Sequence, residues 1–254
     1  MEATSQVLKF ENVSEGGATF PDSAYEETEE SEEREEAEER TDSAKSLKFR
    51  RLCLENWKNF PSVDIAIQDR MFLVGQNASG KSNLLDAFRF LRDLAMPGGG
   101  FHQAVTDRGG VSAMRSLSAR RSSEIVVIVS LQDEDNDDIW EYSLAFNQDS
   151  NRIPQVRRES VEHNGESLFD RPDSQDKSDL DLLKQTHLEQ SIANKRYRKL
   201  VDFFRTIHYS HVVPQLVRNP NLVSGATIDP YGEELLKQMA DTQPRILYSR
   251  LARI

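Results

Sequence analysis

The sequence predicts an α/β fold, and three observations predict it. The apolar run Met71–Val74 leads into the glycine-containing stretch Gly75–Ser82, and Leu84, Leu85, Phe88, Leu91 and Leu94 then recur at helical spacing. Two alternating segments precede this unit. A pair of strand-like segments, residues 124–131 and 140–146, follows it around an acidic turn. Strand, glycine loop and helix supply one part of the fold. The alternating segments supply an antiparallel strand layer on either side of it in sequence.

Charge divides the chain of 254 residues before pattern does. Through Asp42 there are fifteen acidic and three basic residues, and residues 26–39 alone hold ten glutamates. Such a segment cannot bury enough apolar surface to offset the entropy of ordering it. Residues 1–44 are therefore expected to be a disordered acidic tail, and residues 45–254 the folded domain. The tail fits either a solvated segment or one that mimics nucleic acid or docks on a basic partner. The net charge of −11 belongs to the tail, and the near-neutral remainder neither favours nor excludes a nucleic-acid partner. Cys53 is the one cysteine, which excludes an internal disulfide and a cysteine-based zinc site. No apolar run is long enough to span a membrane, and the N-terminus lacks a secretory pattern, so a cytoplasmic location is expected.

In chain order, Leu47, Phe49, Leu52 and Leu54 mark a first strand. Val63, Ile65 and Ile67 mark a second after the turn Trp57–Pro61. Met71–Val74 reads as a buried strand ahead of the loop, and the helix beyond it ends at Pro97–Gly100. Residues 124–131 and 140–146 form a hairpin around Asp133–Asp138. Residues 153–161 add a strand, and Asn164-Gly165 makes a tight turn before residues 167–169. After a polar loop over 170–181, a helix is expected over 188–204, burying Ile192, Leu200, Val201, Phe203 and Phe204. A strand over 207–213 and a last helix over 232–240 complete the reading.

The loop carries the chemistry. Gly75, four residues, then Gly80-Lys81-Ser82 satisfies the phosphate-loop pattern, and the flanking strand and helix are the context that pattern requires. Glycines permit close backbone approach, and successive N–H groups at a helix N-terminus form an anion nest. Gly75, Gln76, Asn77, Ala78, Ser79, Gly80, Lys81, Ser82 and Asn83 are expected to cradle a nucleoside triphosphate. Lys81 would face the β- and γ-phosphates, and the Ser82 hydroxyl would ligate Mg²⁺.

With Asn56-Trp57-Lys58-x-Phe60 ahead of a loop reading G-x-N-x-S-G-K-S-N, the stretch resembles the head domains of RecF, SMC and OLD-type ATPases. These relatives of the ABC ATPases also carry the AAA label. Asn77, Ser79 and Asn83 exceed what the general motif requires. The resemblance is strongest over 47–95 and extends over most of 46–254. It implies ATP and Mg²⁺ as cofactors, ATP-gated dimerisation with a second copy or a companion subunit, and a DNA transaction such as repair or phage defence. For Lys58 it implies a nucleotide contact, against a plain solvated turn lysine. For Gln215 it implies contact with Mg²⁺ and the attacking water, against an ordinary polar residue after Pro214.

The sequence departs from that family in one respect. Neither a signature loop of the LSGGQ or SDGT kind nor an apolar strand ending in acidic residues is found. Residues 125–131 followed by Gln132-Asp133-Glu134 are the nearest match, but their carboxylates run on into hairpin-turn chemistry. The chain thus looks like the N-terminal half of a head, and ATP binding without turnover is the alternative to an active ATPase. Lys195–Lys199 reads as a solvated helix face or a nucleic-acid contact. His208 and His211 do not form a metal set. Tyr197 stands where a guanine-reading N-K-x-D motif needs a carboxylate.

Overall fold

The computed structural model describes residues 46–118, 123–190 and 193–209. The expected acidic tail, Gln215, His211 and the helix over 232–240 lie outside them. Six strands form one antiparallel sheet in the order β2-β1-β3-β4-β5-β6. They are β1 (Leu47–Trp57), β2 (Phe60–Ala66), β3 (Ile125–Asp133), β4 (Ile139–Gln148), β5 (Pro154–His163) and β6 (Glu166–Arg171).

Alternation decides the sheet's two faces. In β3 every second residue from Ile125 to Asp133 is buried, as side chains on alternate sides of a pleat require. Val127 pairs with Leu144 and Val129 with Tyr142, so the apolar residues of β3 and β4 share one face. Leu52 and Leu54 of β1 extend that face opposite Val129 and Val127.

Helices cover it. The first, α1 (Lys81–Ala95), buries Leu84, Ala87, Phe90, Leu91, Leu94 and Ala95. Two short helices follow, α2 (Phe101–Thr106) and α3 (Val111–Met114). After β6 come α4 (Ser174–Ser178), 3₁₀ turns at Leu180–Lys184 and Ala193–Tyr197, and α5 (Arg198–Arg205). Phe90 lies 5.4 Å from Trp57 and 5.6 Å from Phe146, ring centre to ring centre, and Tyr142 lies 5.8 Å from Phe204. These contacts join helix and sheet into one core.

Three expectations are corrected. Met71–Val74 is not a buried strand: it pairs with no strand among the described residues, and Phe72 and Val74 are 83% and 93% exposed. An apolar run becomes a strand only where a neighbouring strand receives its N–H and C=O groups. Helix α5 begins at Arg198 rather than near 188. Upstream, Asn194 donates to the Leu188 carbonyl oxygen and accepts from Arg198, and Glu189 accepts from Phe101 N and from Thr186. Such side-chain bonds compete with helical ones. Residues 207–209 are not a strand, and the rest of that expected segment lies outside the described residues.

The buried charges are structural. Arg171 forks onto Asp176 (2.5 and 3.0 Å) and reaches Glu159 at 3.2 Å, while Glu159 also accepts from Tyr142 Oη and His187 N. This network ties β5 and β6 to the turns after them, and the sequence pattern gives no sign of it.

Candidate functional site

Helix α1 starts without a side-chain cap. Its N-cap is Gly80, at φ 100°, and no acidic residue stands in its first turn. Its first N–H groups therefore stay available to an external anion. Gly80 cannot be replaced cheaply. A Cβ there would overlap the Asn59 amide and lie 2.7 Å from Phe60 Cζ, and the backbone is in the left-handed region.

Lys81 is folded over the loop. Its Nζ donates to the carbonyl oxygens of Gly75 (2.8 Å) and Gln76 (2.7 Å), so its charge lies against the loop backbone. Ser82 is exposed at the first turn of α1, and Asn83 follows with its Nδ2 donating to Asn59 Oδ1 at 2.8 Å. Gly75 to Ser79 are exposed around them. The loop thus presents a cation folded on its own carbonyls and an exposed hydroxyl beside an uncapped helix start.

The turn between β1 and β2 buttresses the loop. Trp57, fully buried, donates Nε1–H to the Asn83 carbonyl oxygen at 2.8 Å. Asn56 and Lys58 take left-handed torsions (φ 59° and 51°). Asn56 Nδ2 donates to the Glu124 carbonyl oxygen, and its Oδ1 accepts from Ser116 N. Phe60 and Asn59 close on Gly80. The segment Asn56–Phe60 thus positions the loop, a role that spacing alone does not reveal.

Lys58 is occupied within the protein. Its Nζ lies 2.6 Å from Asp86 Oδ2, and Arg108 holds the same carboxylate through Nε and Nη2, both at 3.0 Å. Burial opposes ionisation of Asp86, yet Arg108 and Lys58 keep its carboxyl below the usual carboxylate range. Asp86 and Arg108 were legible only as charges of a helix and of the segment after it.

Two further charged stretches singled out by the sequence have partners within the fold. Asp133 is buried in the hairpin turn, bonded to Lys199 and to Asp135 N, so the acidic run after β3 is turn chemistry. Burial opposes its ionisation, and Lys199 and Ser46 prevail, holding the carboxyl below its usual range. Arg196 caps the Leu168 carbonyl oxygen and Arg198 the Asn194 side chain, which fastens the basic cluster to its neighbours. Among the described residues no His, Cys, Asp and Glu group can hold a metal ion. No helix of the described residues is long and apolar enough to cross a membrane.

A family model described as "AAA domain, putative AbiEii toxin, Type IV TA system" matches residues 70–208, more than half of the chain. Two solved structures of the recombination mediator protein RecF in the RecFOR pathway, RecF-ATP and RecF-ATPrS, are similar at 20% and 18% identity. Each match covers 48% of this chain, and 29% and 28% of the RecF chains, with TM-scores of 0.29 and 0.28. The chain therefore spans less than a third of the length of those structures. No curated protein matches it.

Proposed function

Because the chain belongs to the AAA-domain family whose model matches residues 70–208, we propose that its phosphate loop couples ATP binding to a DNA transaction in the cytoplasm, in repair or phage defence. One observation carries the nucleotide reading: Lys81 folded over the Gly75 and Gln76 carbonyls at the uncapped start of α1. The loop N–H groups and Lys81 bind the phosphates, and Ser82 is the residue for Mg²⁺. A Mg²⁺ ion held there would offset phosphate charge. The family description's reference to a type IV TA system favours defence over repair.

A second reading is favoured by Phe72 and Val74, exposed on a run that is unpaired among the described residues and whose Leu73 alone packs against the core. In it the loop binds ATP without turnover, and a second copy or a companion subunit supplies a strand and the water-activating carboxylate. Asp86 is unsuited to that role, since Lys58 and Arg108 occupy it.

The test is ATP and GTP binding with Mg²⁺, followed by phosphate release in the same samples. Binding that disappears in Lys81→Ala supports the loop assignment, and equal binding by variant and parent sinks it. Turnover selects the first reading, and binding without turnover the second.

A further inference from the structure

A cleft of about 680 Å³ opens beside the first turn of α1, with Lys58, Asn59, Asn83, Arg108, Arg115 and Leu117 on its walls. That volume lies within the range of small-molecule sites, about 300–1,000 Å³. Asn83 belongs both to this wall and to the start of the loop's helix, so cleft and phosphate loop are contiguous.

The cations of the cleft are not equivalent. Lys58 and Arg108 are both drawn to Asp86. Arg115 is exposed and has no ion pair or side-chain hydrogen bond among the described residues. Its backbone is nevertheless held in place. Arg115 bridges antiparallel to Trp57, Lys58 N donates to the Met114 carbonyl oxygen at 2.5 Å, and Ser116 N donates to Asn56. The same Trp57 holds Asn83 through its indole N–H. Arg115 and the phosphate loop thus share one anchor, which fixes the reach between them.

We propose that this cleft is the nucleoside subsite of the phosphate loop, and that Arg115 is a specificity-determining residue whose guanidinium packs on the face of a purine base. The assignment rests on the reading of Gly75–Ser82 as a triphosphate site. The loop and Lys81 already supply donors and charge for phosphates. A planar, weakly hydrated guanidinium is suited to an aromatic face. Leu117, 96% exposed on the same wall, offers apolar surface that a sugar or base can cover.

The experiment is titration of the full chain with ATP, UTP and inorganic tripolyphosphate in the presence of Mg²⁺, for the parent, R115Q, R115K and K81A. Folding is checked by circular dichroism. R115Q is expected to weaken ATP about tenfold, to weaken UTP less, and to leave tripolyphosphate unchanged. R115K keeps the charge without the plane and should resemble R115Q toward ATP. K81A should weaken all three ligands. An equal loss of tripolyphosphate in R115Q would make Arg115 a phosphate contact and overturn the proposal, as would unchanged ATP binding. Failure of the parent to bind any of the three would sink the triphosphate reading itself.

Discussion

The Asn59 amide occupies the space that a side chain at Gly80 would need, while its Oδ1 accepts from Asn83 Nδ2 at 2.8 Å. One residue of the β1–β2 turn therefore packs against the loop at its glycine and again at its helix. Gly80→Ala adds overlap with Asn59 and Phe60 to an unfavourable φ of +100°. It is expected to cost about 1–3 kcal/mol of stability and to weaken ATP binding. Asn59→Ala should relieve the overlap but not the torsional strain. The double variant would then recover part of the loss, a coupling that urea unfolding of all four proteins measures. Strict additivity would mean that Asn59 does not press on Gly80.

Lys58 and Asp86 give a second test, since the expected nucleotide contact of Lys58 competes with its ion pair. Asp86→Asn removes one of the two carboxylates on the nearly buried Arg108, which keeps Asp93 at 2.9 Å, and should cost about 2 kcal/mol. Lys58→Met leaves Arg108 on Asp86 and should cost about 1 kcal/mol. Equal losses would show that Lys58, not Arg108, is the main partner. The folded-state pKa of Asp86 is depressed. Its contribution is therefore present above the unfolded carboxylate range and lost as pH falls through the lower folded value. Asp86→Asn should reduce the acid sensitivity of unfolding.

The buried network on β5 shifts stability with the opposite sign. Burial pushes the Glu159 carboxyl up, from 4.5 to about 7, against the pull of His187 N–H and Arg171. The folded protein then binds the proton more tightly than the unfolded chain. The contribution is full below about 4.5 and is lost as pH rises through about 7. Glu159→Gln keeps a hydrogen-bonding group and should flatten that slope, of order 1–3 kcal/mol. Urea midpoints across this range measure it, and an unchanged slope would mean that Glu159 stays ionised beside Arg171.

What the sequence disclosed follows from where each element finds its partners. The β3–β4 hairpin was legible because Val127–Leu144 and Val129–Tyr142 are joined by a short turn and alternate cleanly. Helix α1 was legible from its apolar stripe, though Leu85 is exposed while Ala87 and Phe90 complete the buried face. The loop was legible as spacing. Its support by Asn59, Phe60 and Trp57 was not, because left-handed torsions at Asn56 and Lys58 and a contact to Gly80 are tertiary facts. The early start predicted for α5 failed for a similar reason. Glu189 accepts across the fold from Phe101 N, and the Asn194 side chain turns back onto the Leu188 carbonyl oxygen six residues earlier. Met71–Val74 has strand composition, and composition does not supply the neighbouring strand.

That last segment carries its own prediction. Phe72 and Val74 are large apolar side chains left in solvent immediately before the phosphate loop. Replacing exposed side chains usually changes stability by less than about 0.5 kcal/mol, so Phe72→Ser and Val74→Thr should leave the urea midpoint nearly unchanged. The same changes should reduce self-association at high concentration, read by sedimentation, because an exposed apolar run with open backbone groups is a template for pairing. If a second copy or companion subunit pairs with this run, the double variant should also lose that partner while Lys81 still binds nucleotide. A loss of about 2–5 kcal/mol in the isolated chain would instead place these side chains in a core. The run would then be an internal strand, and the second reading would lose its support.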